Sequence, residues 1–315
     1  MFKNLVLISF ISLPLASENL LDIYNEALDN DPQYKSSEYS LLAGKEFVVQ
    51  GRAGLLPNVT LSGSTNWNEY YQFDELQSAY NNNSVTARLT QPLFRLDSWF
   101  NFKRSKKLTD ASEADFAYAQ QNLIIRTVEK YFGVLRAIDN LNAAVSEEKA
   151  IKKQLDQIQQ RFEVGLSAIT EVQEAQLAYD LSVAAKIRSE GALFNAREEL
   201  NSLIGREIFS IDSLKADIVP ENPNPTTKQE WVDIALKNNY RLQASVLRRD
   251  ASQDSARSSA SEHLPKINIV GTESESNTNQ YSYEGFEDLG FQAPSETQRK
   301  NYSLSLSIPI SQGGA

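Results

Sequence analysis

Cysteine is absent, and histidine occurs once, at His263. The first absence excludes disulfides, thiolate metal sites and thiol nucleophiles. The second excludes a metal site built from several imidazoles. No glycine-rich phosphate loop is present either, which leaves few ways to assemble a catalytic centre. Carboxylate pairs carry no signal in a chain with 41 acidic residues. The residues therefore read as no enzyme, with no cofactor and no metal. His263, next to a strand start, reads as a structural or surface residue. Basic excess is lacking too: a formal net charge of −10 argues against nucleic acid as a partner.

Long apolar runs are missing beyond the N-terminus. Lys3, the stretch Leu5–Ile11 and the small residues Ala16 and Ser17 read as a signal peptide over 1–17, cut before Glu18. That run is too short to span a bilayer easily. No cysteine is available for lipid attachment. Any membrane insertion must then be by β-strands.

Proline is absent between Pro92 and Pro220. Proline in a helix interior removes a hydrogen bond and clashes with the preceding turn, so its absence permits unbroken helix. The run is rich in Ala, Leu, Glu, Gln, Lys and Arg, all good helix formers. Its one break is 162–170, where Gly165 offers a cheap reversal and Thr170 with Gln173 reads as a capping box. The pattern predicts a long helical hairpin over 97–203, with arms near 97–163 and 170–203. The first arm would be roughly 100 Å long.

Before it the period changes. From Asn58, Val59, Leu61, Gly63, Thr65 and Trp67 alternate with short polar residues, which predicts a strand over 58–67. A second strand is expected over 84–92, and the aromatic-rich stretch 68–83 between them reads as an exposed loop. Shifting the chain by 208 residues aligns 27–63 on itself: Ala27-Leu28 falls on Ala235-Leu236, Leu56-Pro57 on Leu264-Pro265 and Gly63 on Gly271. Strands are expected again at 266–273 and 300–308. The organisation is a tandem repeat. The first copy covers 18–230, including a linker over 204–230, and an incomplete second copy covers 231–315. By analogy with the first, a second hairpin of roughly 100 residues or more is expected to follow. A genuine one-hairpin protein is the alternative.

Alternation by itself suits a membrane barrel or a soluble sheet with one wet face equally. The signal peptide, the paired long loops and the adjoining helices favour the barrel. Four strands cannot close around a lumen, so several chains would share one barrel. Thr60, Ser62, Ser64, Thr86, Arg88, Ser303 and Ser305 would line its hydrated pore. Along the first arm, Ile124, Val128, Tyr131, Leu135 and Ile138 read as a coiled-coil seam. Lys103, Arg104, Lys106 and Lys107 follow the second strand closely and suit either phospholipid head groups or a solvated face. The competing class is a periplasmic coiled-coil structural or adaptor protein with no channel of its own.

Several motifs in order carry a family resemblance. They are Glu18-Asn19-Leu20, the paired Leu-Pro steps, Leu89-Thr90-Gln91-Pro92-Leu93-Phe94 and Tyr131-Phe132-Gly133-Val134-Leu135. Gln160–Leu166 with Ala168–Gln173, and Ile308–Gly314, complete the set. Together they resemble the TolC family of outer-membrane channel proteins. The resemblance implies a homotrimer in the outer membrane of a Gram-negative cell, each copy giving four strands to a twelve-stranded barrel and helices to a periplasmic tunnel. It implies an exit duct for drug efflux or type I secretion, joined to an inner-membrane transporter by a periplasmic adaptor. By that likeness Arg161, Val164, Gly165 and Leu166 form the tip where the adaptor docks; the plain reading of Gly165 is a turn former. Glu171 stands where close relatives have aspartate.

Overall fold

The computed structural model describes residues 17–214, 222–281 and 295–310. The expected signal peptide lies outside the described residues, apart from Ser17. Six helices and four strands follow in order: α1 (Leu20–Asn30), α2 (Pro32–Ala53), β1 (Asn58–Gln72), β2 (Glu75–Phe94), α3 (Leu96–Glu163), α4 (Ile169–Ile204), α5 (Lys228–Asn238), α6 (Tyr240–Ser261), β3 (Lys266–Tyr281) and β4 (Ser295–Ser307). The start and end of α1 and α2, and the start of β1, recur at α5, α6 and β3 with the same offset of 208 residues. Two compact units result: Met1–Ser40 with Phe116–Asn239, and Leu41–Asp115 with Tyr240–Ala315.

In the first unit a capping box starts α1: Asn19 accepts from the Leu21 and Asp22 amides, and the Asp22 side chain answers the Asn19 amide. Ile23 and Ala27 of α1 are fully buried against Leu123 of α3 and Leu200, Leu203 and Ile204 of α4. Asp31 joins α1 to α2. It accepts from the Tyr34 amide at 2.8 Å, capping α2, and takes the Arg126 guanidinium on both oxygens at 3.3 and 2.5 Å. Ile208 and Ile211, early in the expected linker, pack on this core.

The seam of α3 differs from the expected one. Leu123, Thr127, Tyr131, Val134, Ala137 and Ala144 are buried, whereas Ile124 is about half exposed and Leu135 and Ile138 only flank the core. Sequence periodicity found the helix but placed its stripe about one residue off, because α3 is apolar on more than one side. The second helix of the hairpin also starts differently. Its N-cap is Ala168, with no side-chain cap, and Thr170 lies inside the helix. Ser167 instead donates to the Glu171 carboxylate.

In the second unit α2 and α3 meet through small residues. A Cβ at Gly44 would stand 2.3 Å from Ser112 Oγ, and one at Gly51 would stand 2.5 Å from Ser105 Oγ. Glycine is needed here for close approach, and Thr109 Oγ1 uses the proximity to donate to the Gly44 carbonyl at 2.9 Å. All four strands form one antiparallel sheet in the order β1-β2-β3-β4.

The stretch 68–83 corrects the expected loop. β1 continues to Gln72, β2 starts at Glu75, and only Phe73 and Asp74 turn the chain, both with positive φ (50° and 62°). Such a two-residue turn matches the twist of paired strands. It escaped the sequence reading because neither residue is glycine or asparagine. A register shift between Tyr70 and Tyr71 also breaks the alternation. β3 likewise runs past the expected 273 to Tyr281, and β4 begins at Ser295, before the expected 300.

Candidate functional site

Pairing partners in an antiparallel sheet point to the same side. The registers therefore sort every strand residue onto one of two faces. Thr60 pairs with Arg88, and Arg88 with Thr272; Ser62 pairs with Thr86, and Thr86 with Ser274; Ser64 pairs with Ser84. Ser303 pairs with Val270, itself opposite Thr90, and Ser305 with Asn268. All seven residues named from the sequence thus share one face. Short hydroxyls cross-link it: Ser64 Oγ and Ser84 Oγ lie 2.9 Å apart, and Ser305 Oγ donates to the Asn268 carbonyl at 3.3 Å.

The sequence reading missed further members of this face. Thr272, Ser274 and Ser276 of β3 and Arg299 of β4 belong to it. Their alternation is visible in the sequence once the strands are known to run past 273 and to start before 300. With Arg88 and Lys266, Arg299 gives this face three cations. Among the described residues it carries no carboxylate.

The opposite face is apolar over a band. Val59 and Leu61 of β1, Leu89 of β2, Ile269 of β3 and Leu304 and Leu306 of β4 are between 41% and 75% exposed. Burying none of them in the chain itself leaves a continuous hydrophobic surface of the kind that marks a membrane or partner contact. Toward the β1–β2 turn the band gives way to polar residues such as Glu275 and the Lys300–Glu273 pair, 2.8 Å apart. Among the described residues neither β1 nor β4 has a strand on its outer edge.

Where β2 passes into α3, Arg95 clamps Asp97 through Nε to Oδ1 at 3.0 Å and Nη2 to Oδ2 at 2.6 Å. Lys266, the first residue of β3, lies 3.5 Å from the same carboxylate. The Arg95 hydrogen bonds hold the Asp97 pKa down at about 2, helped by the Ser98 amide and Lys266. This strap fixes the strand-to-helix junction, and no motif or periodicity announces it.

The hairpin tip follows from backbone chemistry. Gly165 has φ of 80°, its amide donates to the Phe162 carbonyl at 2.9 Å, and the Leu166 amide donates to the Arg161 carbonyl at 2.8 Å. These two bonds make a Schellman motif that closes α3. Arg161, Val164, Gly165 and Leu166 are all exposed there, Val164 and Leu166 by about 70%.

A helix-rich chain with a long hairpin, and a sheet that is polar on one face, apolar on the other and, among the described residues, unpaired at both edges, is a channel-wall subunit of the outer-membrane type. The chain belongs to the outer membrane efflux protein family, whose family model matches residues 23–206. It is 30% identical over 309 residues to the outer membrane protein TolC of Vibrio cholerae serotype O1, covering 96% of this chain and 67% of that protein. It is 27% identical over 305 residues to the alkaline protease secretion protein AprF of Pseudomonas aeruginosa, covering 94% of this chain and 61% of that protein. The fold matches the CmeC outer membrane channel of Campylobacter jejuni with a TM-score of 0.75 at 18% identity, covering 95% of this chain and 63% of that one. The chain thus spans about three fifths to two thirds of the length of the relatives it matches.

Proposed function

We propose that this chain builds, with copies of itself, a passive exit duct in the outer membrane of a Gram-negative cell. The observation that carries the reading is a four-stranded sheet that, among the described residues, has unpaired edges, an apolar exposed face and a hydroxyl face with no carboxylate. In hydrocarbon each unpaired edge group costs several kcal/mol, so such edges must be covered, and four strands are too few to close on themselves. Three copies supply twelve strands and leave no edge. Leu177, Leu181, Ile187 and Phe194 of α4, each 60% or more exposed, offer apolar surface to neighbouring helices in the same assembly. Thr60, Ser62, Ser64, Thr86, Arg88, Ser303 and Ser305 then line the lumen, and the chemistry is transport rather than catalysis.

One relative is named for protease secretion, and the family whose model matches is named for efflux. The same two classes of cargo suit this duct. A periplasmic adaptor docks at Arg161, Val164, Gly165 and Leu166, with an inner-membrane transporter behind it. The test is single-channel recording of the purified full-length protein in planar bilayers. Stepwise conductance is expected. Replacing both lumen arginines, Arg88→Ala with Arg299→Ala, should move the reversal potential toward cation preference. Well-folded trimers that never conduct would overturn the reading.

A further inference from the structure

The first turns of α3 carry a second surface that the duct reading leaves unused. Trp99 is 44% exposed, and Lys103 Nζ sits 5.6 Å from the centres of both the Trp99 and the Phe100 rings. Lys106, three residues on, is exposed. Neither lysine has an ion pair among the described residues. What sets these two apart is the exposed indole on the same stretch of helix, with the Lys103 ammonium over its ring.

The helix geometry says which way this surface looks. Asp97 is held by Lys266, and Lys266 belongs to the hydroxyl face of the sheet. At 3.6 residues per turn, Trp99, Lys103 and Lys106 lie about 180–240° around the helix from Asp97. Ser105, about 80° from Asp97, packs on Gly51 of α2. Asp115, on the Asp97 side, takes the Arg248 guanidinium of α6. The aromatic and cationic surface is therefore turned away from both helix neighbours, to the side of the sheet's apolar face.

Depth follows as well. β2 ends at Phe94, itself on the apolar face opposite Ile267. Trp99 starts about 5 Å beyond the first residue of α3 and Lys103 about 11 Å beyond it. Helical side chains tilt toward the helix N-terminus, so both lysines lean back toward the strands. The Lys103 ammonium over the Trp99 ring shows that reach. Indole plus cation just outside an apolar band is the chemistry of the headgroup layer.

Resting on the duct reading, we propose that Trp99, Phe100, Lys103 and Lys106 form a docking surface for anionic phospholipid, with the indole at the acyl boundary and the two ammonium groups on the phosphodiester. The experiment uses the full-length protein reconstituted in phosphatidylcholine, as two single-tryptophan variants. One keeps Trp99 (Trp67→Phe, Trp231→Phe); the other keeps Trp67 (Trp99→Phe, Trp231→Phe). Trp67 lies on the apolar face of β1 and tests membrane insertion itself. Brominated phosphatidylglycerol should quench Trp99 more strongly than brominated phosphatidylcholine. Lys103→Gln with Lys106→Gln should lower the phosphatidylglycerol preference about tenfold or more. Inorganic phosphate should not compete; if it does, the surface is a free-phosphate site and the proposal is wrong. If Trp67 is quenched and Trp99 is not, or if the two lipids quench Trp99 alike, the proposal falls while the duct stands. If neither tryptophan is quenched, both fall.

Discussion

Removing the charge at Asp31 should cost more stability than any surface change of equal size. Its side chain is 4% exposed, carries the Arg126 guanidinium on both oxygens, and caps α2 through the Tyr34 amide. Asp31→Ala loses all three hydrogen bonds and leaves Arg126 stranded, with an Nε that already has no partner. Breaking a buried pair costs about 3–5 kcal/mol, and losing the cap adds about 1 kcal/mol. Asp31→Asn keeps the cap and should cost about 1 kcal/mol less than alanine. It also places at the α1–α2 joint the residue that stands at the corresponding joint of the second repeat. Asn239 there donates its amide to Ala235 O at 2.9 Å, as Asp31 does to Ala27 O. Arg126→Met should cost about 3 kcal/mol alone, yet the double variant Asp31→Asn, Arg126→Met should be at least about 2 kcal/mol better than the sum of the singles. The assay is urea unfolding of the helical circular dichroism signal for all four proteins. A coupling below about 0.5 kcal/mol would mean that the two groups act independently, and the reasoning about this joint would be refuted.

Other outcomes follow from the same structure. Gly165→Ala should destabilise the hairpin end by about 1–2 kcal/mol. Open space surrounds the added methyl, so the loss is all backbone strain. Gly165→Asn should recover part of it, read by hydrogen exchange at the Gly165 and Leu166 amides. Tyr131→Phe removes a hydroxyl that donates to the Asp212 carbonyl at 2.8 Å and the Glu18 carbonyl at 3.3 Å; burial raises its pKa, and the change should cost about 1 kcal/mol in thermal unfolding. Asp97 has a folded pKa of about 2, below its unfolded value, so its contribution is fully present above about pH 4 and is lost as pH falls toward 2. Asp97→Asn should flatten the melting temperature across that window, and an unchanged acid slope would remove Asp97 as its cause.

Much of this protein was legible in the residues. The proline-free run between Pro92 and Pro220 permitted α3 and α4, because a helix is decided by local backbone chemistry. The period-two patterns found all four strands and put Thr60, Ser62, Ser64, Thr86, Arg88, Ser303 and Ser305 on one face, because alternation along a strand is a local property. The offset of 208 residues carried over to the element boundaries for the same reason. Gly165 announced the end of α3 because only glycine takes positive φ without strain.

What crosses the chain was not legible. Ser274 and Arg299 joined the hydroxyl face only once pairing showed how far β3 and β4 extend. The Phe73-Asp74 turn carries positive φ on residues that do not advertise it, since pairing of the flanking strands imposes it. The buried side of α3 depends on which neighbours it meets, so Leu123 and Val134 could not be told from Ile124 and Leu135 by spacing. Nor could the partner of Asp31 be named, because Arg126 is 95 residues away in the chain. Local periodicity fixes which element forms and which residues share a side; only packing decides which side is covered, and by what.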